Sequence, residues 1–182
     1  SRKKLKQLAA TLSRTLKTAA DFDVLPILMS EVGVRVVYVE ALPGAKIDGC
    51  AMVIDGYPVI GLSGRGKRLD KILFTLLHEI AHLLLGHVDA KHLIVEDLDN
   101  KRESETERER EANDAAGALE FPAGFPIIPG RIGAAWVDRT ADDLGVARIV
   151  VIGQLQHRGR LDWRTTLAKN APAVNEVLEG WK

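Results

Sequence analysis

The sequence predicts an α+β fold: a small, mainly antiparallel sheet leads into one long apolar helix, and further helices follow. Three observations carry this expectation. Two short apolar runs, 50–54 and 57–62, flank Asp55-Gly56, a hairpin signal because both turn positions tolerate positive φ. Leu69, Ile72, Leu73, Leu76, Leu77, Ile80, Ala81, Leu84 and Leu85 then recur at helical spacing and make a wide apolar face. Most of the remaining chain follows the helical rather than the strand period.

In chain order, residues 3–20 carry Leu5, Leu8, Leu12 and Leu16 on one face and lysine and arginine on the other, which predicts an amphipathic helix. Arg2, Lys3, Lys4, Lys6, Arg14 and Lys17 precede the first carboxylate of the chain. No aromatic platform or nucleic-acid motif accompanies them, so the expectation is a solvated face on a packed helix. A second helix is expected from Val24 to Glu31, with Pro26 in its first turn, where a missing amide hydrogen costs little. Gly33 stops it, residues 34–42 read as a strand, and Pro43-Gly44 marks a turn. Gly64-Arg65-Gly66-Lys67 lacks the full phosphate-loop pattern and is read as a loop.

The long helix is expected over Arg68 to Leu85, with Gly86 ending it in a left-handed cap. Another spans 102–119, polar at first and then rich in alanine. The three prolines and two glycines of 121–130 require a loop. Residues 132–144 read as helix with Gly145 as the stop, 147–156 are ambiguous between helix and strand, and 163–181 read as helix interrupted at Pro172.

Composition narrows the function classes. Apolar residues make up 46% of the 182 positions and charged residues 27%, as expected for a compact chain and not for a disordered or fibrous one. The 25 basic and 25 acidic side chains cancel, so net charge calls for no polyanionic partner. Cys50, the lone cysteine, excludes an internal disulfide and a thiolate cluster; it is read as a small buried residue of a protein kept in a reducing compartment. No apolar run reaches the roughly 18 residues needed to span a bilayer, and no signal-peptide core follows the basic start. The expectation is a cytoplasmic protein without a membrane partner.

The chemistry concentrates in HEIAH, residues 78–82. His78 and His82 lie four apart and emerge from one helix face, where two imidazoles can grip one zinc ion. Glu79 projects beside them and can take a proton from an activated water. Burying two histidines and a glutamate on an apolar helix is costly unless something pairs with them, and zinc is such a partner. A catalytic zinc takes three protein ligands. His87 follows Gly86 and is expected to point away, and His92 does not fit a three-histidine pattern, because HEIAH continues as LLLGH. A carboxylate is therefore favoured. Ala112, Ala116 and Gly117 mark the closely packed side of the acidic helix, Asn113 shares it, and Glu109 lies one turn earlier. Glu109 is the expected ligand, with Glu111 and then Glu105 as alternatives, and Glu103 and Glu107 are read as solvated. Asn113 is placed to hydrogen-bond a ligating imidazole or its neighbouring loop. His157, Arg158 and Arg131 are candidate donors to a developing oxyanion.

FTLLHEIAHLLLGH at 74–87, followed by EREANDAAGALEFP at 109–122, resembles the ImmA/IrrE family of zinc-peptidase-like proteins, once called DUF955. VARIVVIGQLQHRGRLDW at 146–163 resembles the family's C-terminal part, which places His157 first among the oxyanion candidates. The resemblance implies a zincin-like metallopeptidase domain with an HExxH active-site helix: His78, His82 and Glu109 hold Zn2+, Glu79 is the general base and Asn113 a helix-packing polar residue. One departure is Ala115-Ala116, where many members have Phe-Ala. The implied function is a zinc-dependent endopeptidase with a regulatory role, cleaving or inactivating a transcriptional repressor or antitoxin; the competing reading is a zinc-binding sensor or protein-interaction module with little proteolysis. Members often carry an upstream DNA-binding module, and DNA contact here would need such a module before Ser1. The expected organisation is one domain over 1–182, with an N-terminal basic helix (1–23), a catalytic core (24–125) and a C-terminal helical part (126–182).

Overall fold

The computed structural model describes residues 1–40, 48–63, 65–88 and 101–181, and the side chains of all of these except 101–106. The far end of the 34–42 strand, the Pro43-Gly44 turn, Gly64, His92 and the side chains of Glu103 and Glu105 lie outside the described residues.

The chain opens with α1 (Arg2–Thr15), whose Leu5, Ala9 and Leu12 are buried while Lys3, Lys4 and Lys6 face solvent. The helix ends earlier than its apolar period suggests. The Lys17 and Thr18 amides donate to the Asp21 carboxylate at 2.9 and 2.7 Å, so a side chain captures backbone groups that helix continuation would have used. A 3₁₀ turn (Ala20–Val24) leads into α2 (Leu25–Glu31).

Strands β1 (Arg35–Tyr38), β2 (Gly49–Ile54) and β3 (Tyr57–Leu62) form one sheet in the order β1-β3-β2. The β2/β3 hairpin is antiparallel from Gly49↔Leu62 to Ile54↔Tyr57, and Asp55 and Gly56 turn it with φ of 50° and 81°. β1 joins the other side of β3 in parallel, in the register Arg35↔Val59 to Tyr38↔Leu62. The longer ladder is antiparallel, and β3, flanked on both sides, carries the buried Val59, Ile60 and Leu62. Among the described residues β2 is an edge strand.

α3 (Leu69–Leu85) lies against β2 and β3 and buries Leu69, Ile72, Leu73, Leu76, Leu77, Ile80 and Ala81. It ends as expected at Gly86, with φ of 77°. α4 (Lys101–Glu120) lies along α3, and the fully buried Ala112 and Ala116 allow the close approach. α5 (Ala134–Leu144) precedes α6 (Arg148–His157), which resolves the ambiguous 147–156 stretch as helix. Ile149, Val150, Val151, Ile152 and Leu155 are buried around nearly the whole of α6, which explains why no single apolar stripe marked it.

The tail departs from expectation. In place of a helix over 163–181 there is a 3₁₀ turn (Thr166–Ala168), an extended stretch and the short α7 (Asn175–Glu179). The extended stretch pairs with the entry to α3: the Leu69 amide donates to the Pro172 carbonyl at 2.9 Å and the Val174 amide to the Lys67 carbonyl at 2.8 Å. Pro172 blocks the helix, and these partners satisfy the backbone instead. One buried apolar cluster runs from Leu5 and Leu12 through α3 and α6 to Leu178.

Behind α3 lies a buried polar knot. Arg68 donates to both Asp70 oxygens at 2.9 and 2.6 Å and to Gln156 Oε1 at 2.8 Å. A Cβ on Gly153 would overlap the Asp70 carboxylate, so glycine is what admits that side chain. Glu120 is buried at the end of α4, where Ser13 Oγ donates to its carbonyl oxygen at 2.7 Å.

Candidate metal centre

His78 and His82 occupy successive turns of α3, and Glu109 enters from α4. His78 Nε2 lies 3.1 Å from Glu109 Oε2, His82 Nε2 lies 3.3 Å from Glu109 Oε1, and the two Nε2 atoms are 3.0 Å apart. The three side chains are the group of potential metal ligands found among the described residues, their donor atoms all within 4.8 Å of one another. Asn113 Oδ1 sits 3.0 Å from His78 Nδ1, the hydrogen bond expected of it. Because the amide oxygen can only accept, Nδ1 is the donor, which leaves Nε2, the atom facing His82 and Glu109, as the ligand nitrogen. Burial, then the proximity of His78, pulls His82 below the usual imidazole range and favours its neutral form. Three lone-pair donors converging on one point call for a cation. Two imidazoles and a carboxylate suit tetrahedral zinc with a fourth position open, and zinc holds its nitrogen ligands roughly 3.3 Å apart.

The cleft at this cluster has a volume of about 530 Å³ and is lined on one side by Gly49 and Ala51 of β2 and on another by Thr75 and Glu79 of α3. Glu79 is buried, with 7% exposure. Burial, reinforced by the Glu109 charge and opposed by the Ala51 backbone amide, pushes its carboxyl up to about 7. A Cβ on Gly49 would lie 2.6 Å from Thr75 Cγ2 and 3.1 Å from Glu79 Oε1, so glycine lets β2 come this close to the base of the cleft. Cys50 is half-buried and lines the same cleft, where burial pushes its thiol up; it is not the enclosed filler expected.

Residues 30–126 match the family model described as the IrrE N-terminal-like domain of the M78 peptidases. The chain belongs to the ImmA/IrrE-like peptidase family. No curated protein and no solved structure matches significantly. The IrrE-like domain is thus a zinc-peptidase-family fold with a candidate metal triad of His78, His82 and Glu109, in accord with the HExxH reading.

Other site residues fall as follows. His157 lies beyond the matched residues 30–126 and is not among the residues that line the metal cleft. Its ring stacks on Phe74 with centroids 5.6 Å apart and meets Trp163 edge-on at 5.3 Å, and burial lowers its pKa. It borders two neighbouring clefts; one shares Asp48 and Thr75 with the metal cleft, and the other, of about 910 Å³, brings together Phe74, Phe121 and Phe125. Arg158 lies over the Phe125 ring, 4.9 Å from its centroid. Glu111 does not reach the cluster: its carboxylate lies 3.1 Å from His87 Nε2. His87, expected to point away from the ligand face, is not one of the converging ligands, but it packs behind His82 with its Nδ1 3.1 Å from His82 Nδ1. The missed signal is the helix end itself. After a left-handed glycine the next residue folds back over the last turn, and the His87 amide indeed donates to the His82 carbonyl at 3.0 Å.

Proposed function

We propose that this domain is a zinc-dependent endopeptidase that regulates by cutting a protein partner, on the family's pattern a transcriptional repressor or antitoxin. The observation that carries the reading is Glu79, a buried carboxyl group beside three converging ligand atoms at the floor of an open cleft. Zinc, when bound, supplies Lewis acidity that acidifies water and polarises a peptide carbonyl. Glu79 accepts the proton of the attacking water and returns it to the leaving amine. In the hairpin register the main-chain groups of Gly49, Ala51 and Val53 face away from β3; the Ala51 amide donates to Glu79, and the other groups on this edge of β2 are placed to bond an extended peptide beside the cleft.

In this reading His157 donates to the carbonyl oxygen as charge develops, supported by its place in the cleft that shares Asp48 and Thr75 with the metal site. His157→Gln then slows cleavage about 10²-fold or more with zinc content intact; an unchanged rate removes His157 from the chemistry. The main experiment incubates the zinc-loaded chain with repressor and antitoxin proteins encoded beside its gene and maps fragments by mass spectrometry. One partner is expected to yield a discrete cut that chelation and Glu79→Gln both abolish. Equal cutting by Glu79→Gln overturns the reading. Binding of a partner by wild type and Glu79→Gln alike, with no cut by either, establishes a sensor or interaction module instead.

A further inference from the structure

We propose that His87 and Glu111 are positioning residues that fix His82 as a metal ligand through a chain of two hydrogen bonds from carboxylate to histidine to histidine. The proposal rests on reading His78, His82 and Glu109 as a zinc centre. Its geometry is His82 Nδ1 to His87 Nδ1 at 3.1 Å, then His87 Nε2 to Glu111 at 3.1 Å.

With a single hydrogen on each ring, the groups of this chain take one consistent proton arrangement. An ionised carboxylate only accepts, so His87 Nε2 carries the hydrogen toward Glu111. With that one hydrogen at Nε2, His87 Nδ1 is left as an acceptor. The hydrogen between the two rings therefore belongs to His82 Nδ1, and His82 Nε2 keeps its lone pair. That nitrogen is the one 3.3 Å from Glu109 and 3.0 Å from His78 Nε2. A single chain thus sets both the tautomer of His82 and its ring orientation. On the other ligand Asn113 does the same with one bond to His78 Nδ1. The two supports differ in origin. Asn113 and Glu111 both come from α4, which also carries Glu109, but His87 is held by the turn after α3, through its amide bond to the His82 carbonyl. Hydrogen bonds of this kind orient a ligating imidazole and raise its basicity.

The test uses the full chain and measures zinc affinity by competition with a chromophoric chelator, alongside the ligand-field spectrum after cobalt substitution and the unfolding temperature without metal. His87→Leu is expected to bind zinc about 10–100-fold more weakly and to shift the cobalt spectrum, with metal-free unfolding unchanged. His87→Asn, whose Oδ1 can still accept from His82 Nδ1, restores most of the affinity. Glu111→Ala weakens binding less, and adds nothing in the His87→Leu background because it acts through His87. Wild-type affinity and spectrum in His87→Leu overturn the proposal. Full additivity of the two losses also does so, since Glu111 would then contact the metal directly. A matching fall in metal-free stability assigns His87 a structural role and overturns it as well. A wild-type chain that binds no zinc removes both the centre and its supports, whereas zinc binding without any cleavage removes only the peptidase reading.

Discussion

Glu79 of α3 and Glu120 at the end of α4 are both carboxyl groups taken out of water, and each has a second acid nearby and a glycine in its cluster. Burial pushes Glu79 up to about 7, reinforced by Glu109, and Glu120 up to about 8, reinforced by Asp70. Gly49 admits the first, and Gly153 admits the Asp70 side chain that faces the second. The surroundings separate them. Glu79 opens onto a cleft with two imidazoles at its side, whereas Glu120 closes the end of α4 with Ser13 bonded to its carbonyl. A displaced carboxyl pKa is therefore a record of burial, and it marks a reactive group only where an opening and a reacting partner accompany it.

The largest expected effect falls on one side only. Glu79→Gln lowers the cleavage rate about 10²–10⁴-fold at unchanged zinc content, and Glu120→Gln leaves the rate alone; equal losses in both variants would erase the distinction. Next comes the pH dependence of stability. Folding raises Glu120 from the ordinary glutamate value of 4.5 to about 8, so the folded state holds a proton that the unfolded state has released between those values. Stability is then full below the unfolded value and falls as pH rises through the folded one, by on the order of a few kcal/mol. Urea midpoints at pH 6 and pH 9 should differ in the wild-type chain, and Glu120→Gln should shrink that difference to the smaller part that Glu79, raised to about 7, contributes; a wild-type midpoint that does not fall with pH contradicts the buried acid.

The glycines give smaller and opposite signatures. Gly153→Ala forces the Asp70 carboxylate aside and should cost about 1–3 kcal/mol in denaturant melts, with the folded fraction still cutting normally. Gly49→Ala presses on Thr75 and Glu79. It should reduce cleavage about tenfold, corresponding to ~1.4 kcal/mol on the barrier, with a smaller change in stability. Reversal of that pattern would move the functional boundary from α3 to the knot behind it.

Much of the frame was legible in the residues. The α3 face and its glycine stop, the Asp55-Gly56 turn and the buried side of α1 are local patterns that burial merely completes. α6 was not assignable, because a helix buried nearly all round carries no stripe. The tail was misread because Pro172 and Val174 found partners at Lys67 and Leu69, far away in sequence. The parallel entry of β1 was likewise hidden, since residues 35–38 do not encode which side of β3 they join.

The same division runs through the metal centre. Spacing alone placed His78, Glu79 and His82 on one turn and a half of helix, because helical periodicity is a property of the local backbone. Among alternating glutamates of α4, small residues singled out the side that carries Glu109. Only the tertiary structure decided that Glu111 serves His87 and not the metal, and that His87 turns back onto His82. Those contacts depend on where the turn after α3 meets α4. Two positions apart on one helix, Glu109 and Glu111 point in different directions, and what each one meets is set by the packing of its neighbours.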